Sequence, residues 1–179
     1  VAFSYGFIYV KGQLLTAKDS GIKGFDDLRD KNVVTTAGTT NERFIKSYNA
    51  DHKMNMQVIS AKDHGEAFKM LETGRAAAFY MDDALLYGER AKARDPHHWI
   101  VVGDEQSREI YSCMVRKDDP QLLAVVNRTL ADLYQSGEIT GIYQRWFEQP
   151  IPPNGLNLEF PMTAELKQII ATPVSDPVQ

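Results

Sequence analysis

Between Lys11 and Val102 the sequence alternates short β-branched or apolar runs with helical stretches, and this alternation constrains the fold more than any other feature. Residues 32–36, 56–60 and 99–102 read as strands, and residues 76–81 form an apolar run suited to a strand buried on both faces. The helical signals lie between them. Thr39 with Glu42 has the spacing of a capping box and opens a helix through about Asn49. Asp63 with Glu66 repeats the pattern before a helix carrying Ala67, Phe68 and Leu71, which stops at Gly74. Asp82 and Asp83 begin a third helix through Leu85, Leu86 and Ala91, ended by Asp95 and Pro96. Such alternation predicts an α/β fold with a mainly parallel, doubly wound sheet.

The flanks follow a different rhythm. Residues 1–16 read as extended, with Phe3, Tyr5, Phe7 and Tyr9 alternating, and residues 110–115 form one more strand that is expected to bury Cys113 as an inert thiol. Asp119 and Pro120 are a strong helix start, followed by a stripe of Leu122, Leu123, Val125, Val126, Leu130 and Leu133. Ser136 and Gly137 break that helix. Ile142, Tyr143, Trp146 and Phe147 predict a second one, with both Trp146 and Phe147 in the core. From Pro150 onward the tail is proline-rich and extended, with one weak helix near residues 164–170. Two strands separated by a whole α/β unit predict paired crossings between two lobes. The expected division is 1–9, a hinge strand and the end of a first-lobe segment; 10–104, a complete second lobe; and 105–179, a second hinge strand with the C-terminal part of the first lobe and its tail.

Composition narrows the function classes. Lys and Arg number 20 against 24 Asp and Glu, a net charge of −4, so no basic footprint argues for nucleic acid. No apolar run approaches the roughly 20 residues of a membrane-spanning helix. The single cysteine can make neither an internal disulfide nor a cysteine-rich zinc site, and His97 with His98 lacks a third ligand at metal spacing. No metal or cofactor is expected. P-loop, GxGxxG, HExxH and GxSxG patterns are absent from the sequence. The chain opens at Val1 directly in an apolar run, which predicts that its 179 residues are a piece of something longer.

In open α/β sheets, ligands bind beyond the carboxyl ends of the strands, at helix N-termini. Three predicted strand ends carry polar groups: Gly38, Thr39 and Thr40 after the first, Asp63 and His64 after the second, Asp82 and Asp83 after the third. Gly38 lets backbone approach an anion, and the helix start with the Thr39 and Thr40 hydroxyls supplies donors for it. Taken alone, the motif reads first as a plain N-cap at Thr39. His64 can donate to a second anion or stand as a solvated first-turn residue. Asp82 can take an ammonium group, and capping by Asp82 or Asp83 is the competing account. If the strands are neighbours, the three sets describe a ligand with two anionic ends and one cationic group, the pattern of an acidic α-amino acid.

Several stretches carry a family resemblance: Gly38-Thr39-Thr40; Ser60, Ala61, Lys62, Asp63, His64 and Gly65; Met81, Asp82, Asp83, Ala84, Leu85 and Leu86; and Arg145, Trp146 and Phe147 ahead of Pro150, Pro152 and Pro153. Together they resemble the polar amino-acid solute-binding proteins of bacterial ABC transporters, and in particular the glutamate/aspartate-binding branch, over nearly the whole chain. The resemblance implies a type II periplasmic-binding-protein-like fold, with one complete doubly wound lobe and the C-terminal part of the other. It implies that Thr40 with the Gly38–Thr39 turn holds the α-carboxylate, that Asp82 takes the α-ammonium group and that His64 faces the side-chain carboxylate. It further implies a periplasmic protein of a Gram-negative bacterium, an acidic amino acid (glutamate or aspartate) as ligand and a membrane ABC permease as partner, without catalysis. Mechanism would be closure of two lobes on a ligand that only the shut form pairs fully.

Members of this family begin with a first-lobe segment supplying arginines to both ligand carboxylates, and nothing in this chain matches it. The chain alone is therefore expected to bind glutamate weakly or not at all. Apolar surface on the incomplete lobe is expected to favour dimers, swapping or aggregation, and Cys113 is a candidate for a disulfide partner in the unmatched segment. Two rival readings share the fold: the effector-binding domain of a LysR-type regulator, and an enzyme of the cyclohexadienyl dehydratase kind, for which His64 with Glu66 is the nearest acid–base pair.

Overall fold

The computed structural model describes residues 1–173; the end of the tail, expected to be extended, lies outside them. The described chain forms two compact units, one of residues 11–107 and one of residues 1–10 with those from 108 onward.

Strand β1 (Ala2–Ala17) enters the 11–107 unit with its second half. There it joins β2 (Asn32–Thr36), β3 (Gln57–Ala61), β4 (Ala78–Asp82) and β5 (Trp99–Val102) in the order β3-β2-β4-β1-β5. β2 lies parallel to both β3 and β4, as the alternation predicts. β1 runs antiparallel to β4 and β5, with Leu14 opposite Tyr80 on one side and Val102 on the other. Helices α1 (Thr40–Asp51), α2 (His64–Glu72) and α3 (Asp83–Lys92) follow β2, β3 and β4.

Side chains alternate across a strand, so successive residues feed opposite faces of this sheet. Leu14, Val33, Ala78 and Tyr80 pack with Phe25, Leu28 and Ile45 in one core. Leu15, Val34, Phe79 and Met81 pack with Phe68, Leu71 and Leu86 in the other. The unit is therefore covered on both faces, and all five residues of β4 are buried.

Both predicted caps form, with one variation. Thr39 Oγ1 accepts the Glu42 N–H at 3.1 Å, and Asp63 Oδ1 accepts the Glu66 N–H at 2.8 Å. Each glutamate reaches back one residue beyond its N-cap: Gly38 N–H donates to Glu42 Oε2 at 2.7 Å and Lys62 N–H to Glu66 Oε2 at 2.8 Å. Gly38 has φ +77°, a left-handed conformation that a side chain would strain.

Residues 104–107 stay with this unit because Gly12 N–H donates to Ser107 O and Gln106 N–H to Gly12 O, at 3.0 and 3.3 Å. A Cβ on Gly12 would run into the Tyr80 hydroxyl and Ser107 Oγ, so glycine is the residue that passes here without displacing them.

In the other unit β6 (Arg108–Val115) pairs with the first half of β1. Cys113 N–H donates to Ser4 Oγ at 2.9 Å, and Tyr134 Oη donates to Gly6 O. Tyr134 lies on α4 (Pro120–Ser136), capped by Asp119 with Pro120 in its first turn, as expected. Helices α5 (Glu138–Tyr143) and α6 (Ala164–Ala171) complete the unit.

Two expectations fail here. Cys113 is exposed, not buried: the faces of β6 are thinly covered, and of its eight residues Val115 alone is buried. Trp146 is 51% exposed. The chain after α5 widens into a π-turn over Gln144–Glu148, and a five-residue turn shifts the apolar stripe off its 3.6-residue period. Phe147 alone keeps its aromatic neighbours, stacking on Tyr143 at 4.5 Å between ring centres.

Candidate functional site

The carboxyl ends of β2, β3 and β4 are adjacent because β2 lies between the other two, with Thr36 opposite Ala61. All candidate residues thus fall on one edge of the 11–107 unit. Two hydrogen bonds tie the three strand ends together. Thr36 Oγ1, at the end of β2, lies 2.7 Å from Nδ1 of His64, the first residue of α2. Asn41 Nδ2, in the first turn of α1, donates to Asp82 Oδ1 at the end of β4, at 2.9 Å.

The Gly38–Thr40 turn divides its donors. The Gly38 N–H is held by Glu42, and the Thr39 hydroxyl donates to Thr36 O at 2.7 Å while accepting from Glu42 N. Thr39 therefore acts as an N-cap. Thr40 is exposed, and as the first residue of a 12-residue helix it stands where unpaired N–H groups and the positive end of the helix dipole favour an anion.

Glu42 fastens this turn. Its carboxylate also takes a hydrogen bond from Ser60 Oγ of β3 and pairs with Lys46 Nζ at 2.7 Å. Lys46, Ser60 and the Gly38 N–H together hold the Glu42 carboxyl well below the usual carboxylate range, at about 2.

The two adjacent aspartates part company. Asp83 Oδ1 accepts the N–H groups of Lys11 and Ala84, at 3.1 and 2.8 Å, so its side chain serves the backbone. Burial pushes the Asp83 carboxyl up to about 6, against the pull of those two N–H groups. Asp82 makes no cap hydrogen bond to α3; it is 3% exposed and faces Asn41. Sequence reasoning missed Asn41, Thr36 and Glu42 as supports of this edge. The capping-box spacing placed Glu42 at the helix start but not its bond to Ser60, and nothing local distinguishes Asn41 or Thr36.

In the His64–Glu66 pair the Glu66 carboxylate serves the start of α2, accepting the Lys62 N–H at 2.8 Å. Among the described residues no three His, Cys, Asp or Glu side chains are grouped to hold a metal ion. No described helix is long and apolar enough to cross a membrane.

A doubly wound unit with polar strand ends on one edge is the architecture of the type II periplasmic binding proteins. Solved structures bear this out: ArgBP from T. maritima, in a mutant form, matches with a TM-score of 0.71 at 29% identity, over 83% of this chain and 62% of that one. An ancestral arginine-binding protein bound to arginine matches at 0.70 and 29%, over 81% and 63%. Residues 1–149 match the bacterial extracellular solute-binding proteins, family 3, and the chain belongs to that family. It is 61% identical over 173 residues to an L-glutamate/L-aspartate-binding protein of Pseudomonas aeruginosa, covering 97% of this chain and 57% of that protein. A glutamate/aspartate import solute-binding protein of Escherichia coli K12 is 50% identical over 172 residues, 96% of this chain and again 57% of the relative. The chain thus spans little more than half the length of these two relatives.

Proposed function

We propose that residues 11–107 are one ligand-binding lobe of a periplasmic receptor that captures L-glutamate or L-aspartate and presents it to an ABC permease. The observation that carries this reading is the convergence of Thr40, His64 and Asp82 at the ends of three adjacent parallel strands, tied by the Thr36–His64 and Asn41–Asp82 hydrogen bonds. In this reading the α1 N-terminus with Thr40 and the Gly38–Thr39 turn receives the α-carboxylate. Asp82 receives the α-ammonium group, and His64 the side-chain carboxylate. Residues 1–10 and those from 108 onward supply the C-terminal part of a second lobe. The reading needs no catalytic group, and the names of the relatives at 61% and 50% identity support it. Gram-negative relatives likewise support a periplasmic site of action.

Titration of the isotope-labelled chain with glutamate, followed by amide and imidazole NMR, tests it. Weak binding that moves Thr40, His64 and Asp82 together is expected, with glutarate, which lacks the ammonium group, leaving Asp82 unmoved. Glutamate that shifts none of the three at millimolar concentration overturns the assignment.

A further inference from the structure

His64 has two ring nitrogens, and which one carries the proton decides what it can offer a carboxylate. Its Nδ1 lies 2.7 Å from Thr36 Oγ1, so one of the two must donate. Thr36 is 6% exposed, and among the described residues its hydroxyl has no partner besides Nδ1. If the hydroxyl accepted a proton from Nδ1–H, its own hydrogen would be buried with nothing to receive it. If it donates to Nδ1, that hydrogen is satisfied and only lone pairs go unused. An unmet buried donor is disfavoured by roughly tenfold or more in population.

The Thr39 and Thr16 hydroxyls follow the same accounting, whereas the Thr35 hydroxyl, on the opposite face of β2, is buried without a partner among the described residues. Thr39 Oγ1 gives its proton to Thr36 O, and Thr16 Oγ1 lies 2.9 Å from Ala77 O. Thr36 is placed to do the same toward His64, because β2 ends where α2 begins and the N-cap Asp63 fixes the start of that helix.

We propose that Thr36 is a positioning residue: its hydroxyl donates to His64 Nδ1 and holds the neutral imidazole with its proton on Nε2. In the neutral ring the outer nitrogen is then a donor, suited to an anionic carboxylate without prior protonation of the imidazole. The benefit to a ligand rests on the function proposed above; the tautomer does not.

Long-range nitrogen–proton correlation of the imidazoles in the labelled full chain, at a pH where all four histidines are neutral, reads the tautomer directly. The His64→Gln variant assigns the signal. The expected result is the Nε2-protonated pattern for His64, retained in Thr36→Ser and averaged between tautomers in Thr36→Val with the amide spectrum of the sheet otherwise unchanged. An Nδ1-protonated or already averaged pattern in the parent chain overturns the proposal. So does a Thr36→Val variant with the parent pattern; should that variant not fold, the parent and Thr36→Ser spectra still decide. Adding glutamate separates the two readings. If His64 holds the Nε2 proton and glutamate moves no imidazole, the ligand assignment fails while the positioning role stands.

Discussion

Asn41 Nδ2 donates to Asp82 Oδ1 across 2.9 Å, joining the first turn of α1 to the end of β4, and both residues are buried. The amide oxygen of Asn41 is buried without a partner among the described residues, so asparagine stands here for its donor, at the expense of an unmet acceptor. Asn41→Ala is expected to lower stability by about 2 kcal/mol, since a hydrogen bond to a charged group is lost. Asn41→Asp, of the same shape, sets two carboxylates against each other and is expected to be worse. Urea unfolding at pH 7 should order the three chains parent, Ala, Asp; an Asp variant as stable as the parent contradicts the geometry.

Asp83 ties stability to pH. Burial raises its carboxyl from 3.8 to about 6, so the folded chain binds this proton more readily than the unfolded chain does. Its contribution is therefore fully present below pH 3.8 and is lost as pH rises through about 6. Asp83→Asn keeps an oxygen for the Lys11 and Ala84 N–H groups and removes the titration. Above pH 6 the variant is expected to exceed the parent by an amount on the order of 2 kcal/mol, and to fall level with it near pH 4. Thermal melting across that range checks the crossover.

Glu42 titrates in the opposite sense. Its carboxyl is lowered from 4.5 to about 2, so the stability it adds is present above pH 4.5 and lost as pH falls through about 2. Glu42→Gln should weaken the chain at pH 7 and match it near pH 2. Hydrogen exchange at Gly38, whose N–H the carboxylate holds, should speed up in the variant at neutral pH.

Gly12→Ala places a methyl group against the Tyr80 hydroxyl and Ser107 Oγ in the middle of the sheet. Overpacking of this kind costs about 1–3 kcal/mol. Tyr80→Phe, which removes the hydroxyl, should recover part of the loss, and a double-mutant cycle measures the coupling.

We propose that exposed apolar residues of one unit favour self-association. Val1, Phe3, Met114, Leu122, Val125 and Trp146 are all exposed, and all belong to the unit of residues 1–10 and 108 onward. Sedimentation velocity is expected to show weight-average mass rising with concentration, and polar substitution at Leu122 and Val125 to suppress it. A clean monomer at high concentration removes the claim.

Local chemistry in the sequence determined a good deal of this protein. Cap pairs such as Thr39–Glu42 and Asp63–Glu66, the left-handed Gly38 and the apolar run of β4 act within a few residues, and each is found where its spacing puts it. The alternation of strand and helix sufficed for the doubly wound unit, because periodicity dictates which face each side chain must bury. Other features were decided only by tertiary structure. β1 sits antiparallel between β4 and β5; Trp146 and Cys113 face outward; Thr36 meets His64, and Asn41 meets Asp82. The last two pairs lie 28 and 41 residues apart in sequence, and no local pattern encodes a hydrogen bond that exists only after strands β3, β2 and β4 are set side by side.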